Sequence, residues 1–127
     1  MSTVPDFTDA ERGVIASALA ERYGEPMPLE LADAEVRLDP AAPVITTCPT
    51  VYWHARGAHF VIVKTAAGRY RCQFFYSTYQ QYGTGRPEYD DLADCVLSIL
   101  RAQADHEKEA RGVHSGMVRE ELGDEEQ

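Results

Sequence analysis

The run Val51-Tyr52-Trp53-His54-Ala55-Arg56-Gly57-Ala58-His59-Phe60-Val61-Ile62-Val63-Lys64-Thr65-Ala66-Ala67-Gly68-Arg69-Tyr70-Arg71-Cys72-Gln73-Phe74-Phe75-Tyr76 decides the fold. It is dense in β-branched and aromatic residues, which fit a pleated surface. Two short interruptions divide it into strands over 51–55, 59–65 and 69–76. Arg56-Gly57 suits a two-residue hairpin turn, and Ala66-Ala67-Gly68 a three-residue loop with Gly68 at positive φ. Those turn lengths set a register. Trp53 pairs with Phe60 and His54 with His59; Phe60 pairs with Phe74 and Ile62 with Cys72. One face then carries Val51, Trp53, Phe60, Ile62, Cys72 and Phe74, and reads as core. The other carries Tyr52, His54, His59, Val61, Val63, Arg71, Gln73 and Phe75, a mixture of polar and apolar groups.

Working outward, Asp33–Leu38 alternates small or apolar with charged residues and reads as a strand with one wet face. Val44–Cys48 offers a further strand, interrupted at Pro49. Upstream, Thr8-Asp9-Ala10-Glu11 fits a capping box. Val14, Ile15, Ala18, Leu19 and Tyr23 follow on one helical stripe, with Gly24 as C-terminal cap, so the spacing predicts a helix over 9–23. Downstream, 77–86 reads as a polar loop. Pro87 suits a first helical position, with Glu88, Asp90 and Asp91 at the positive end of the helix dipole. Leu92, Cys95, Val96, Ile99 and Ala102 form the apolar stripe, and Lys108, Arg111 and Gly112 are stop signals, giving a helix over 87–111. The expected architecture is α+β in α-β-β-β-β-α order. An antiparallel meander of four to five strands is covered on one face by both helices. Residues 1–112 form one domain, and 113–127 form an acidic tail expected to be disordered.

The chain has 127 residues, a formal charge of −9 and 44% hydrophobic residues, the profile of one globular domain. No apolar run approaches the roughly 20 residues that span a bilayer, and the N-terminus does not resemble a secretory signal. Three scattered cysteines, Cys48, Cys72 and Cys95, argue against a disulfide framework and for a reducing, cytoplasmic setting. The charge is segregated. Pro40 to Pro87 contains no acid and carries Arg56, Lys64, Arg69, Arg71 and Arg86, a formal +5, so the remainder carries −14. Either strands exclude acids, or the middle presents a positive face to an anionic ligand or an acidic partner. The overall negative charge disfavours direct binding to nucleic acid or membrane.

Three features are candidate sites. His54 and His59, opposed across a hairpin, would share a ligand, with Cys48 as a weak third metal ligand; the C-x5-H-x4-H spacing matches no standard zinc pattern. The mixed sheet face groups Tyr52, His54, His59, Arg71, Gln73 and Phe75, residue types enriched at protein interfaces. The loop 77–86 holds Tyr79, Tyr82 and Arg86 beside Gly83-Thr84-Gly85 and runs toward a helix N-terminus, where backbone N–H groups hold anions. No serine sits in a nucleophile elbow. Cys72 and Cys95 are expected in the core, Cys48 accessible in a loop. The leading expectation is a small acidic, non-enzymatic protein-binding module, an adaptor, regulator or inhibitor, with no cofactor. Its partner is another protein with a basic surface, or a second copy in a homodimer. The alternative is a small anionic-ligand binder or modest enzyme. It would use His54 or His59 as acid/base, Arg71 or Arg86 as anion clamp and Tyr79 or Tyr82 as lid.

Overall fold

A computed structural model describes the backbone of residues 4–77 and 80–118, and side chains over 4–76 and 81–110. Helix α1 spans Asp9–Tyr23. Strands follow at β1 Glu30–Val36, β2 Thr46–Ala55, β3 Ala58–Ala66, β4 Arg69–Ser77 and β5 Gln80–Tyr82, and helix α2 spans Leu92–Val118. The strands form one antiparallel sheet in the order β1-β2-β3-β4-β5. No helix among the described residues is long and apolar enough to cross a membrane.

Local chemistry explains most boundaries. The Thr8 hydroxyl accepts from Glu11 N–H and the Glu11 carboxylate accepts from Thr8 N–H, so the capping box closes as expected. Gly24 ends α1 in the left-handed conformation at φ 77°. At the β2–β3 hairpin Arg56 has φ 54° and Gly57 φ 78°. Two positive φ values make the primed turn whose twist matches its strands. Gly68 stands at φ 73°, with the ladder shifting between Lys64 and Ala66. The Trp53↔Phe60, His54↔His59, Phe60↔Phe74 and Ile62↔Cys72 pairs all form.

Several boundaries differ from expectation. β1 runs from Glu30 to Val36 rather than from 33 to 38. Val44–Cys48 and Val51–Ala55 belong to one strand from Thr46, because Pro49 faces Asp33 of β1 just before the β2–β3 ladder begins at Thr50↔Val63. Its missing N–H therefore falls outside that ladder. β5 emerges from the expected loop, pairing Phe74 with Tyr82. The last helix begins at Leu92, not Pro87. Tyr89 and Tyr70 exchange backbone hydrogen bonds of 2.8 and 2.9 Å, which keep the chain extended, and the Asp91 carboxylate then caps α2 through Asp94 N–H. The helix continues past Gly112, which weakens a helix without forbidding it. The tail beyond Val118 lies outside the described residues.

Phe7, Ile15 and Leu19 from the α1 end and Cys95, Val96, Ile99 and Leu100 from α2 join Val51, Trp53, Phe60, Ile62 and Phe74 in one core. Charge secures that arrangement. Each of the five cations in the acid-free stretch meets a carboxylate from outside it. Arg56 reaches Glu107 at 3.1 Å and Lys64 reaches Glu11 at 2.8 Å. Arg69 and Arg71 reach Glu88 at 3.2 and 3.7 Å, and Arg86 reaches Asp94 at 3.0 Å.

The Lys64 pair is the buried one: the lysine is 3% exposed, and its ammonium also donates to Asp6 O at 2.9 Å. Glu11 takes a further hydrogen bond from the Tyr70 hydroxyl. Burial pushes the Glu11 carboxyl up, but hydrogen bonds from Lys64, Tyr70 and Thr8 N–H and the Lys64 charge outweigh it, leaving its pKa below the usual 4.5. A carboxyl lowered by folding stabilises fully above its unfolded value and loses that contribution as pH falls through the folded one. Stability should therefore fall with acid below about pH 4.5, less steeply in Glu11→Gln. Lys64→Met should cost about 3 kcal/mol in urea unfolding, because it strands a partly buried carboxylate. Glu11→Gln made in that background should cost much less than it does alone.

Candidate functional site

The face of the sheet turned away from the helices is built from cross-strand rows. Since paired residues point the same way, the register aligns His54, His59, Phe75 and Gln81 across β2 to β5. A second row aligns Glu30, Tyr52, Val61 and Gln73, and a third Ala32, Thr50, Val63 and Arg71. The rings in the first row are nearly parallel. His54 and His59 centroids lie 4.5 Å apart at 17°, and His59 and Phe75 lie 5.1 Å apart at 19°. Tyr52 stacks on His59 at 5.8 Å and its hydroxyl bonds His59 Nδ1 at 2.5 Å. This bond fixes the His59 ring against its neighbours. His54 is exposed, whereas Tyr52, His59, Val61, Val63, Arg71, Gln73 and Phe75 are half-buried.

Part of this face is covered by the chain itself. The Arg71 guanidinium donates to Leu38 O at 3.4 Å, drawing the β1–β2 connection over that end. Cys48 lies beneath, fully buried, with its thiol bonded to Thr46 O at 3.8 Å. Burial raises the Cys48 pKa, against a smaller opposing pull from the Arg71 charge. The expectation of an accessible Cys48 in a loop is thus corrected: the residue belongs to β2. Between Val36, Val61, Val63, Arg71 and Gln73 a shallow hollow of about 160 Å³ remains.

The structure brings together Tyr52, His54, His59, Arg71, Gln73 and Phe75. It separates the other candidates from them. Tyr82 faces the helix layer, 4.4 Å from the His106 ring and 5.3 Å from Phe74. Arg86 pairs with Asp94 and lies over the Tyr89 ring at 4.4 Å. Tyr79 lies outside the described residues. The 77–86 loop does not lead directly into a helix N-terminus, because the extended stretch at Tyr89 intervenes. The Thr84 hydroxyl accepts from Arg86 N–H and the Tyr89 hydroxyl, so the loop is tied to itself. Cys48 stands six residues along β2 from His54, about 20 Å at strand spacing. Among the described residues no group of three His, Cys, Asp or Glu side chains is placed to hold a metal ion.

Sequence reasoning passed over a second ring cluster in the helix layer. His106 packs on Tyr76 and Tyr82, its Nδ1 is 3.3 Å from the Tyr76 hydroxyl, and Gln103 Nε2 donates to that hydroxyl at 3.2 Å. Its signal was the helical period: Gln103 and His106 follow Ile99 at i+4 and i+7, on the same stripe. This cluster is packed structure.

The open face can therefore bury another apolar surface through a stacked aromatic row and a valine floor. Its two flanking arginines, Arg69 and Arg71, are held by Glu88 and Leu38 O. Compared with known proteins, the chain matches no family model, no curated sequence and no solved structure. One thiol reports the local cover directly. Cys48 should stay unlabelled by iodoacetamide in the native chain and be fully labelled in urea, as read by peptide mass spectrometry. Rapid native labelling would place the β1–β2 connection off the sheet.

Proposed function

We propose that this chain is a non-enzymatic protein-binding module whose open sheet face docks a different protein, apolar at the centre of its contact and basic at the rim. One observation carries the reading: Tyr52, Val61, Val63, Gln73 and Phe75 form an uncharged, half-exposed floor that neither helix covers. Apolar floors of this kind mark interaction surfaces when they are contiguous. The rim supports the choice of partner. Glu30 ends the Tyr52 row, and exposed Asp39 lies in the β1–β2 connection next to Leu38. Such a rim, on a chain of formal charge −9, attracts a basic surface and opposes a second acidic copy.

Adaptor, regulator or inhibitor of such a partner is the corresponding role. The three free thiols fit a reducing, cytoplasmic setting. Nucleic acid is a poorer occupant, because the chain carries a formal charge of −9 and Arg69 and Arg71 beside the floor are paired with Glu88. The small-ligand or enzymatic reading, with Arg71 or Arg86 as clamp and Tyr79 or Tyr82 as lid, has less support: Arg71 shares the histidine face but is held by Glu88 and Leu38 O, while Arg86 and Tyr82 face elsewhere.

The test compares complexes formed by the full chain with those of Val61→Glu/Phe75→Glu, and of Leu97→Glu on the helix layer. The double variant should stay folded, as read by circular dichroism and urea unfolding, because both side chains face away from the helix-covered core. It should bind the partner at least about thirtyfold more weakly, the loss expected at an interface centre. Leu97→Glu should bind normally. Full affinity in the double variant would remove the face from the interface, and a homodimer dissolved by it would replace the heterologous partner with a second copy.

A further inference from the structure

β4 and α2 meet at two sulfurs. Cys72 is on the helix-facing side of β4, and Cys95 is the fourth residue of α2. The Cys72 thiol donates to the Cys95 backbone carbonyl at 3.8 Å, which sets the β4 sulfur against the first turn of α2. They differ in access. Cys95 is fully buried, while Cys72 is only partly so. The outer edge of β4 explains the opening. It is paired with Tyr89 at Tyr70 and with β5 from Phe74 onward, and no strand among the described residues pairs with it at Cys72.

The two sulfurs also differ in chemistry. The hydrogen bond from Cys95 favours the Cys72 thiolate, outweighing burial, and holds its pKa below the ordinary thiol value. That same hydrogen bond, together with burial, pushes Cys95 upward, so it keeps its proton. A partly exposed thiol beside a fully buried one is the arrangement of a reactive cysteine with its resolving partner. Cys48 cannot substitute for either. It is buried on the opposite face of the sheet, under the β1–β2 connection.

We propose that Cys72 and Cys95 form an oxidisable pair that closes a reversible disulfide between β4 and α2 in response to hydrogen peroxide. In the first step the Cys72 thiolate attacks one peroxide oxygen and the O–O bond breaks. The departing hydroxide takes a proton and leaves as water, and Cys72 becomes a sulfenic acid. In the second step the Cys95 sulfur attacks the Cys72 sulfur and the S–O bond breaks. The hydroxyl leaves with the Cys95 proton as a second water. Overall, two thiols are oxidised by two electrons and one peroxide is reduced to two waters. A dithiol reductant reverses the change by thiol–disulfide exchange. The bridge would tie the first turn of α2 to the sheet and enclose β5 and the Tyr89 contact within its loop.

The test treats the reduced full chain with hydrogen peroxide and follows intact mass. The expected product is a monomer lacking two hydrogens. Its unreduced digest contains one peptide linked through Cys72 and Cys95, and dithiothreitol restores the starting mass. Cys95→Ser should instead hold a sulfenic acid at Cys72, captured by dimedone, with circular dichroism confirming that it is folded. Cys72→Ser should yield neither product at Cys95. Retention of both thiols in the parent chain would overturn the proposal. So would a link through Cys48, a link between chains, or oxidation of Cys72 to the sulfinic acid without closure. The parent-chain measurement stands whether or not the variants fold.

Discussion

The carboxylate of Glu11 is the point on which the arrangement of layers depends. It caps the N-terminus of α1 through Thr8 N–H, and it receives Lys64 from β3 and the Tyr70 hydroxyl from β4. An ammonium as buried as that of Lys64 loses several kcal/mol of hydration, which only well-placed acceptors offset. Glu11 and Asp6 O are those acceptors. The Phe7 ring lies beside the same ammonium at 5.8 Å and stacks on Tyr70 at 6.3 Å. A displacement of α1 along the sheet would unpair the lysine, uncap the helix and open the core at Phe7 together. The capping box is thus a device for docking the helix as well as for starting it.

The segregation of charge follows the same logic. A strand-forming middle that excludes acids holds five cations, and the acidic flanks supply each of them with a carboxylate. The exposed pairs contribute little stability individually. Their value is positional. Glu107 reaches back from α2 to the β2–β3 turn, Glu88 fixes the stretch before α2 against β4, and Asp94 holds Arg86 against α2. Internal pairing accounts for the basic middle of an acidic chain.

Much of the fold was legible because short turns leave little freedom. Arg56-Gly57 and the Gly68 loop set the register of three strands, and therefore which side chains share each face. The cap and the stripe of α1 were equally local. What escaped the sequence was settled by distant contacts. Pro49 reads as a strand breaker until β1 is known to lie beside it and β3 is known to start pairing one residue later. Pro87 reads as a helix start until Tyr89 is seen to bond Tyr70. Tyr82 and Arg86 looked like a lid and a clamp because nothing local assigns the last short strand to β4 or the guanidinium to Asp94. The candidate face was legible as a set of residues, while its partial cover by the β1–β2 connection depended on a bond from Arg71 to Leu38 O.

These constraints place the helices on one side of the sheet and leave an aromatic and valine floor on the other. Hydroxyl-radical footprinting of the purified chain, read residue by residue, tests that central claim most directly. The account predicts ready oxidation of Tyr52 and Phe75 on the open face, with Trp53, Phe60 and Phe74 protected in the core. Equal protection of Tyr52 and Phe75 in the isolated monomer would contradict it, because the face would then be closed by the chain itself.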